Sequence, residues 1–379
     1  MMHETIKTTI QNFELSQRQL AVASGVSKST FHRALQGNWP KDSVLVRFLP
    51  ALQRALLRSG VPANVVSDCF AGAPNLKPDE IILQGGRTVL NQNILDFFGL
   101  DKDPFFNELS SAADVYMSPN HRIVYTQMLD AAEKQKFVGV VAEVGAGKTV
   151  LKKMLTSELP ERGAFVVSEP MTAEKQKCTP GIIADSILRD VIYGTGSLSR
   201  QRKLETPCGL EAKYRLLHQT LVQERKKGVR VLLVIDEAHD LGNNALKCLK
   251  RLHEMEDGFT KCLGILLLGQ TELEGNLRNF DVREVSARIQ LVRLRPIKTL
   301  VKEYLALKLD LAGGDLSSLF VPGAIETFAT YLSASTPLEI NCLAAASLQT
   351  AHNQGSKSVT PDIIELAFKD IERRVHEDF

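Results

Sequence analysis

At 379 residues the chain is long enough for two or three domains, and a content of 44% apolar and 24% charged residues is ordinary for a soluble globular protein. No apolar run reaches about 18 residues and the first residues lack the apolar core of a signal peptide, which argues against a membrane partner and for a cytoplasmic protein. Six scattered Cys without C-x-x-C spacing argue against zinc and against a disulfide framework, while the net charge of +2 informs only through its distribution.

That distribution is uneven. Residues 16–58 hold Arg18, Lys28, Arg33, Lys41, Arg47, Arg54 and Arg58 against the single acid Asp42, leaving 39 basic and 43 acidic residues elsewhere. A basic head on a slightly acidic body points to a polyanionic partner for the head. Within it, Ser16 to Leu35 reads as helix, tight turn, helix. Ser16 caps the first helix, Leu20 and Ala21 face the core, Gly25 turns the chain, and Ser27 caps the second helix, which buries Phe31 and Leu35 at i, i+4. Lys28, Ser29, Thr30, His32 and Arg33 remain on the outer face, where a recognition helix meets base edges and phosphates. This stretch resembles the helix-turn-helix of the Cro and repressor type; the alternative is a small helical bundle used for protein contacts. A third helix is expected over Ser43–Leu57. Ala71 to Pro78 reads as linker, and an amphipathic helix around Thr88–Phe98 is expected to dock on the domain that follows.

The next element carries the chemistry. An apolar strand, Phe137 to Val141, runs into AEVGAGKT, Ala142 to Thr149, and then into a helical pattern. Strand, Gly-rich turn and helix form the context of a phosphate-binding loop. Gly145 and Gly147 let backbone N–H groups wrap phosphate oxygens at a helix N-terminus, so Glu143, Val144, Gly145, Ala146, Gly147, Lys148, Thr149 and Val150 are the expected ATP contacts. Lys148 reaches the β- and γ-phosphates and the Thr149 hydroxyl ligates Mg²⁺. Ala142 stands where the first Gly of the pattern would be, which is tolerable where its φ stays negative.

Further along, VLLVIDE (Val231 to Glu237) reads as a strand buried on both faces, with two carboxylates at its C-terminal end. Asp236 is expected to hold the Mg²⁺ water shell and Glu237 to act as general base on the attacking water. A third apolar strand, Cys262 to Leu268, ends at Gly269 and Gln270, whose amide can touch the γ-phosphate or that water; the alternative is a strand-capping amide.

With these residues placed, the chain resembles AAA+ ATPases of the ExeA-like group, which includes target-selecting ATPases of DNA transposition such as the B protein type of Mu-like transposable phages. The match runs over roughly 95 to 375: FGLDKDPFF from Phe98, the two nucleotide motifs, and GILLLGQTEL from Gly264 followed by Ala287, Arg288 and Ile289. The resemblance implies an α/β P-loop AAA+ core with a parallel sheet and a C-terminal helical lid, preceded by the all-α helix-turn-helix domain. The implied boundaries are 1–60 for the head, 61–103 for a linker and docking helix, 104–295 for the core and 296–379 for the lid. It also makes Arg288, with Arg283 as alternative, the finger that would reach a neighbouring subunit's γ-phosphate. The implied partners are double-stranded DNA, a transposase and further copies of the chain in a helical oligomer, in the cytoplasm or nucleoid of a bacterial host. One departure stands out: Leu338 occupies the position of the lid arginine. Non-specific DNA contact by the core is expected at Arg200, Arg202 and Lys203 in a polar loop and at Lys250 and Arg251 on the helix after the acidic strand end, the alternative being solvated surface charge. An operator-binding transcriptional regulator and a secretion-associated ATPase are the other readings.

Overall fold

The computed structural model describes residues 2–13, 15–23, 28–36, 52, 56, 59, 61, 65, 69, 89–106, 114–170, 178–195, 206–332 and 335–377. The chain divides into two compact units, 1–85 together with 375–379, and 86–374.

In the first unit, helices α1 (Met2–Asn12), α2 (Gln17–Ala23) and α3 (Lys28–Leu35) close over one apolar core. Ile6 and Ile10 of α1, Leu20 and Ala21 of α2, and Phe31, Ala34 and Leu35 of α3 fill it, each side chain falling at helical spacing on its inner face. Ser16 caps α2, accepting from Gln19 N–H at 3.5 Å. Helix α1 is an addition to the sequence reading, whose first helix began at Ser16. Gly25 and Ser27 lie outside the described residues, as does the linker at 71–78. Of the expected third helix only Leu52 and Leu56 are described; both are helical and buried.

The second unit is an α/β core with a helical lid. Strands β1 (Phe137–Ala142), β2 (Phe165–Ser168), β3 (Arg230–Ile235), β6 (Gly264–Gly269) and β7 (Gln290–Leu294) form an all-parallel sheet in the order β2-β3-β6-β1-β7. A two-stranded hairpin, β4 (Glu256–Asp257) with β5 (Thr260–Lys261), lies between β3 and β6 in sequence. The side-chain alternation of a strand explains the apolar runs. Leu232 and Val234 point to one face, where α5 (Pro119–Glu133) and α6 (Lys148–Arg162) pack through Met128, Leu151, Leu155 and Leu159. Val231, Leu233 and Ile235 point to the other, where α7 (Pro180–Gly194), α8 (Leu210–Lys226) and α9 (Asn243–His253) pack through Ile187, Leu217, Leu221 and Leu249. A parallel sheet sandwiched between helices requires both faces to be apolar, and each fully buried Leu contributes about 1.5–3 kcal/mol.

Helix α4 (Gln92–Phe98) belongs to this unit, starting at Gln92 rather than near Thr88 because the Asn91 side chain caps it. Ile94 and Leu95 are buried, and Phe97 stacks edge-on against His352 of the lid. The expected docking helix thus belongs to the second unit. After the short helices α10 (Glu272–Leu277) and α11 (Arg283–Ser286), the lid comprises α12 (Val301–Asp310), α13 (Leu316–Leu319), α14 (Ala324–Tyr331), α15 (Pro337–Asn353) and α16 (Pro361–Glu377). Among the described residues no helix is long and apolar enough to cross a membrane.

Candidate nucleotide site

The sheet order brings together segments that are far apart in sequence. Val141 of β1 is level with Gly269 of β6, and Ile235 of β3 with Leu267, so the loops after β1, β3 and β6 emerge side by side. Parallel strands present their C-terminal ends on one edge, where open α/β sheets hold ligands. Residues 143–147, Asp236 with Glu237, and Gln270 thus share that edge.

The loop after β1 is shaped by two left-handed glycines, Gly145 with φ 74° and Gly147 with φ 101°, and Gly147 caps α6. Ala142 needs no such freedom: it is the last, extended residue of β1, paired with Leu294. Lys148 opens α6, is buried, and donates from Nζ to the carbonyls of Ala142 (2.9 Å) and Glu143 (3.1 Å). Burial pulls its pKa below the ordinary value, against the opposing carboxylates of Glu237, Asp236, Glu143 and Glu272. Thr149 follows at the exposed first turn.

Asp236 and Glu237 leave β3 in different directions because Glu237 takes a left-handed backbone, φ 52° and ψ 43°. That conformation costs a non-glycine residue about 1 kcal/mol; the Glu237 N–H recovers part of it by donating to Asp236 Oδ1 at 3.0 Å. Asp236 Oδ2 faces a cation, Lys152 Nζ at 2.9 Å. The set suits Mg²⁺: a carboxylate that already attracts a positive charge and a hydroxyl at the helix start are hard oxygen donors, and this ion keeps waters and phosphate oxygens as its remaining ligands.

Three residues without an expected role complete the edge. His121 of α5 is buried, shares a 2.6 Å hydrogen bond between Nδ1 and Ser118 Oγ, and makes a backbone hydrogen bond to Ala146 of the phosphate loop. Burial lowers its pKa, opposed by that bond. His239 joins the carboxylate turn to the third strand: its Nδ1 accepts from Gln270 N–H at 3.5 Å and lies 3.3 Å from Glu237 Oε2, while its carbonyl accepts from Asn276 Nδ2 at 2.7 Å. Lys152 is the third. Its one legible signal is the spacing i, i+4 from Lys148, which puts both on the same face of α6.

Arg288 is held apart from this edge. It precedes β7, whose Gln290 is level with Val138 at the start of β1, whereas the phosphate loop follows Ala142 at the far end. Four residues at about 3.3 Å each separate the two ends by roughly 13 Å along the strand. Arg288 pairs with Glu254 just past α9 at 2.8 Å, and Arg283 lies over the Phe280 ring at 4.1 Å. Arg283, Phe280 and Glu254 line a cleft of about 450 Å³ together with Lys247, Lys250 and Arg251. There Lys250 is paired with Glu284. Arg200, Arg202 and Lys203 lie outside the described residues, as does the Ser29 side chain. Lys28, His32 and Arg33 are exposed on α3, and Thr30 is half-buried.

The AAA domain family model matches residues 131–277. General secretion pathway protein A of Aeromonas hydrophila is 27% identical over 276 residues, 72% of this chain and 47% of that protein, so the chain spans about half the length of this curated relative. Among solved structures, Cdc6p of Pyrobaculum aerophilum aligns at 18% identity over 75% of this chain and 72% of that one, TM-score 0.47. The ORC2 protein of Aeropyrum pernix aligns at 17% identity over 71% of each chain, TM-score 0.44. Residues 131–277 thus match an AAA domain, the stretch that holds the phosphate loop, Asp236, Glu237 and Gln270.

Proposed function

We propose that this ATPase assembles with copies of itself on duplex DNA, with little sequence preference, and that the assembly recruits and activates a transposase. The observation that carries the assembly is the position of Arg288 at the opposite end of the sheet from the phosphate loop of its own chain. An arginine so placed serves a triphosphate only in a neighbouring copy, so ATP joins two subunits and hydrolysis releases them. In this reading Lys148 and the N–H groups of residues 143–150 hold the phosphates, Thr149 and Asp236 hold Mg²⁺, which neutralises the phosphate charge when bound, and Glu237 takes the proton of the attacking water. Gln270 senses the γ-phosphate.

DNA contact is supported by the exposed Lys28, His32 and Arg33 on α3, whose opposite face packs into an apolar core. Lys250 and Arg251 would add phosphate contacts from the core, and Arg200, Arg202 and Lys203 are proposed with them. The transposase rests on the resemblance of the motifs. A second reading, an ATPase of a secretion pathway whose head binds protein, is favoured by the name of the curated relative.

Negative-stain electron microscopy with unrelated duplex DNA, in ATP or a slow analogue and in ADP, tests the proposal. Helical coating only with the triphosphate supports it; an absence of DNA binding in both states overturns it in favour of the secretion reading.

A further inference from the structure

Lys152 touches both the metal-side carboxylate and a second acid. Its Nζ lies 2.9 Å from Asp236 Oδ2 and 2.7 Å from Glu169 Oε1 just past the end of β2, and its side chain is 14% exposed. The ammonium is therefore a shared cation between two carboxylates of unequal surroundings: Asp236 is 17% exposed and Glu169 39%.

We infer that Lys152 is a built-in competitor for Mg²⁺ at Asp236, and that Glu169 is the carboxylate that receives the ammonium when the ion arrives. The inference rests on the ATP–Mg²⁺ reading of the site. Two positive centres cannot use the same face of one carboxylate without mutual repulsion unless an anion compensates. Glu169 is that anion, already in contact with the ammonium before any displacement. Moving Lys152 from a carboxylate shared by two residues to Glu169 alone breaks one ion pair and frees Asp236 Oδ2, with no proton transferred. Lys152 is thus a positioning residue, acting through Asp236, and it sets the Mg²⁺ concentration at which the site closes.

Two variants separate this from a merely structural role because they move the same quantity in opposite directions. The full-length protein is titrated with MgCl₂ in the presence of a fluorescent N-methylanthraniloyl ADP, and the half-saturating free Mg²⁺ is read. Lys152→Met removes the competitor and should lower that concentration about five-fold; Glu169→Gln removes the receiving carboxylate and should raise it about three-fold, steps within reach of a charge interaction at this distance. Nucleotide binding in EDTA and a thermal melt report folding of each variant. Shifts of the same sign in both variants, or no shift in either, would overturn the exchange while leaving the nucleotide site intact. A parent protein whose nucleotide binding ignores Mg²⁺ would overturn the underlying reading as well.

Discussion

The backbone N–H of Leu338 donates to the carbonyl of Gly145 across 3.3 Å, so the first turn of lid helix α15 rests on the phosphate loop. The lid reaches this position through a capping box in which the Thr336 side chain accepts from Glu339 N–H and the Glu339 carboxylate accepts from Thr336 N–H. An aliphatic side chain and a main-chain hydrogen bond stand where the related ATPases place an arginine. The lid meets the phosphate loop through the loop's backbone rather than through a charge.

This contact makes Gly145 intolerant of a side chain. A Cβ there would fall 2.3 Å from Leu338 Cβ, on a residue whose φ of 74° already excludes most L side chains. Gly145→Ala is expected to weaken nucleotide binding about tenfold or more, since a left-handed non-glycine costs roughly 1–2 kcal/mol before the clash is counted. Fluorescent-nucleotide titration measures it, and unchanged affinity would mean that the loop and lid separate freely.

Glu237→Gln keeps the size and left-handed turn but removes the base. Turnover should fall by about 10²–10⁴-fold with ATP affinity preserved, leaving a long-lived ATP-bound assembly on DNA. Dissociation from DNA as fast as the parent's would show that Glu237 is not the base.

Arg288→Ala and Lys148→Ala should each abolish most ATP turnover, the finger alone by about 10³-fold. Because Arg288 lies at the other end of the sheet from Lys148, a mixture of the two variants restores junctions that hold one intact half from each. Partial recovery of turnover on mixing is the expected outcome, and mixtures that stay as inactive as their parts would place both residues in one subunit's site. Arg288 and Glu254 are both over a third exposed, so the loss of that pair should change stability by under about 1 kcal/mol.

His121 and His253 are both buried with pKa values lowered by burial from the ordinary 6.5, opposed by backbone hydrogen bonds to Ala146 and Gln135 respectively. The unfolded chain binds protons at these positions more readily than the folded one. Their contribution is therefore present above about pH 6.5 and lost as the pH falls toward the depressed folded values. Thermal melts between pH 7.5 and 5 should show a falling Tm, and His121→Gln with His253→Gln should flatten that slope. An unchanged slope in the double variant would assign the acid sensitivity elsewhere.

Much of the fold was legible because its signals are local. The phosphate loop needs backbone donors and one lysine within eight residues. The runs Phe137–Val141, Val231–Ile235 and Cys262–Leu268 are apolar on consecutive residues because both faces of their sheet are covered. The lid helices announce themselves by spacing, whereas α1 was missed although Ile6 and Ile10 fall one turn apart.

The sequence by itself determined that the runs at 137–141, 231–235 and 262–268 are buried strands and that Lys148, Thr149, Asp236, Glu237 and Gln270 stand just past their C-terminal ends; strands β2 and β7 and helix α1 were not read from it. Only the tertiary structure decided that Lys152 meets Asp236, that His121 holds Ala146, that Leu338 covers Gly145, and that Arg288 lies at the far end of the sheet. The reason is physical. Hydrophobic periodicity specifies that a face is covered but not by which neighbour, and the strand order β2-β3-β6-β1-β7 is set by how helices pack across the sheet, so partners as far apart in sequence as Lys152 and Asp236 or Gly145 and Leu338 become neighbours through packing that no local pattern encodes.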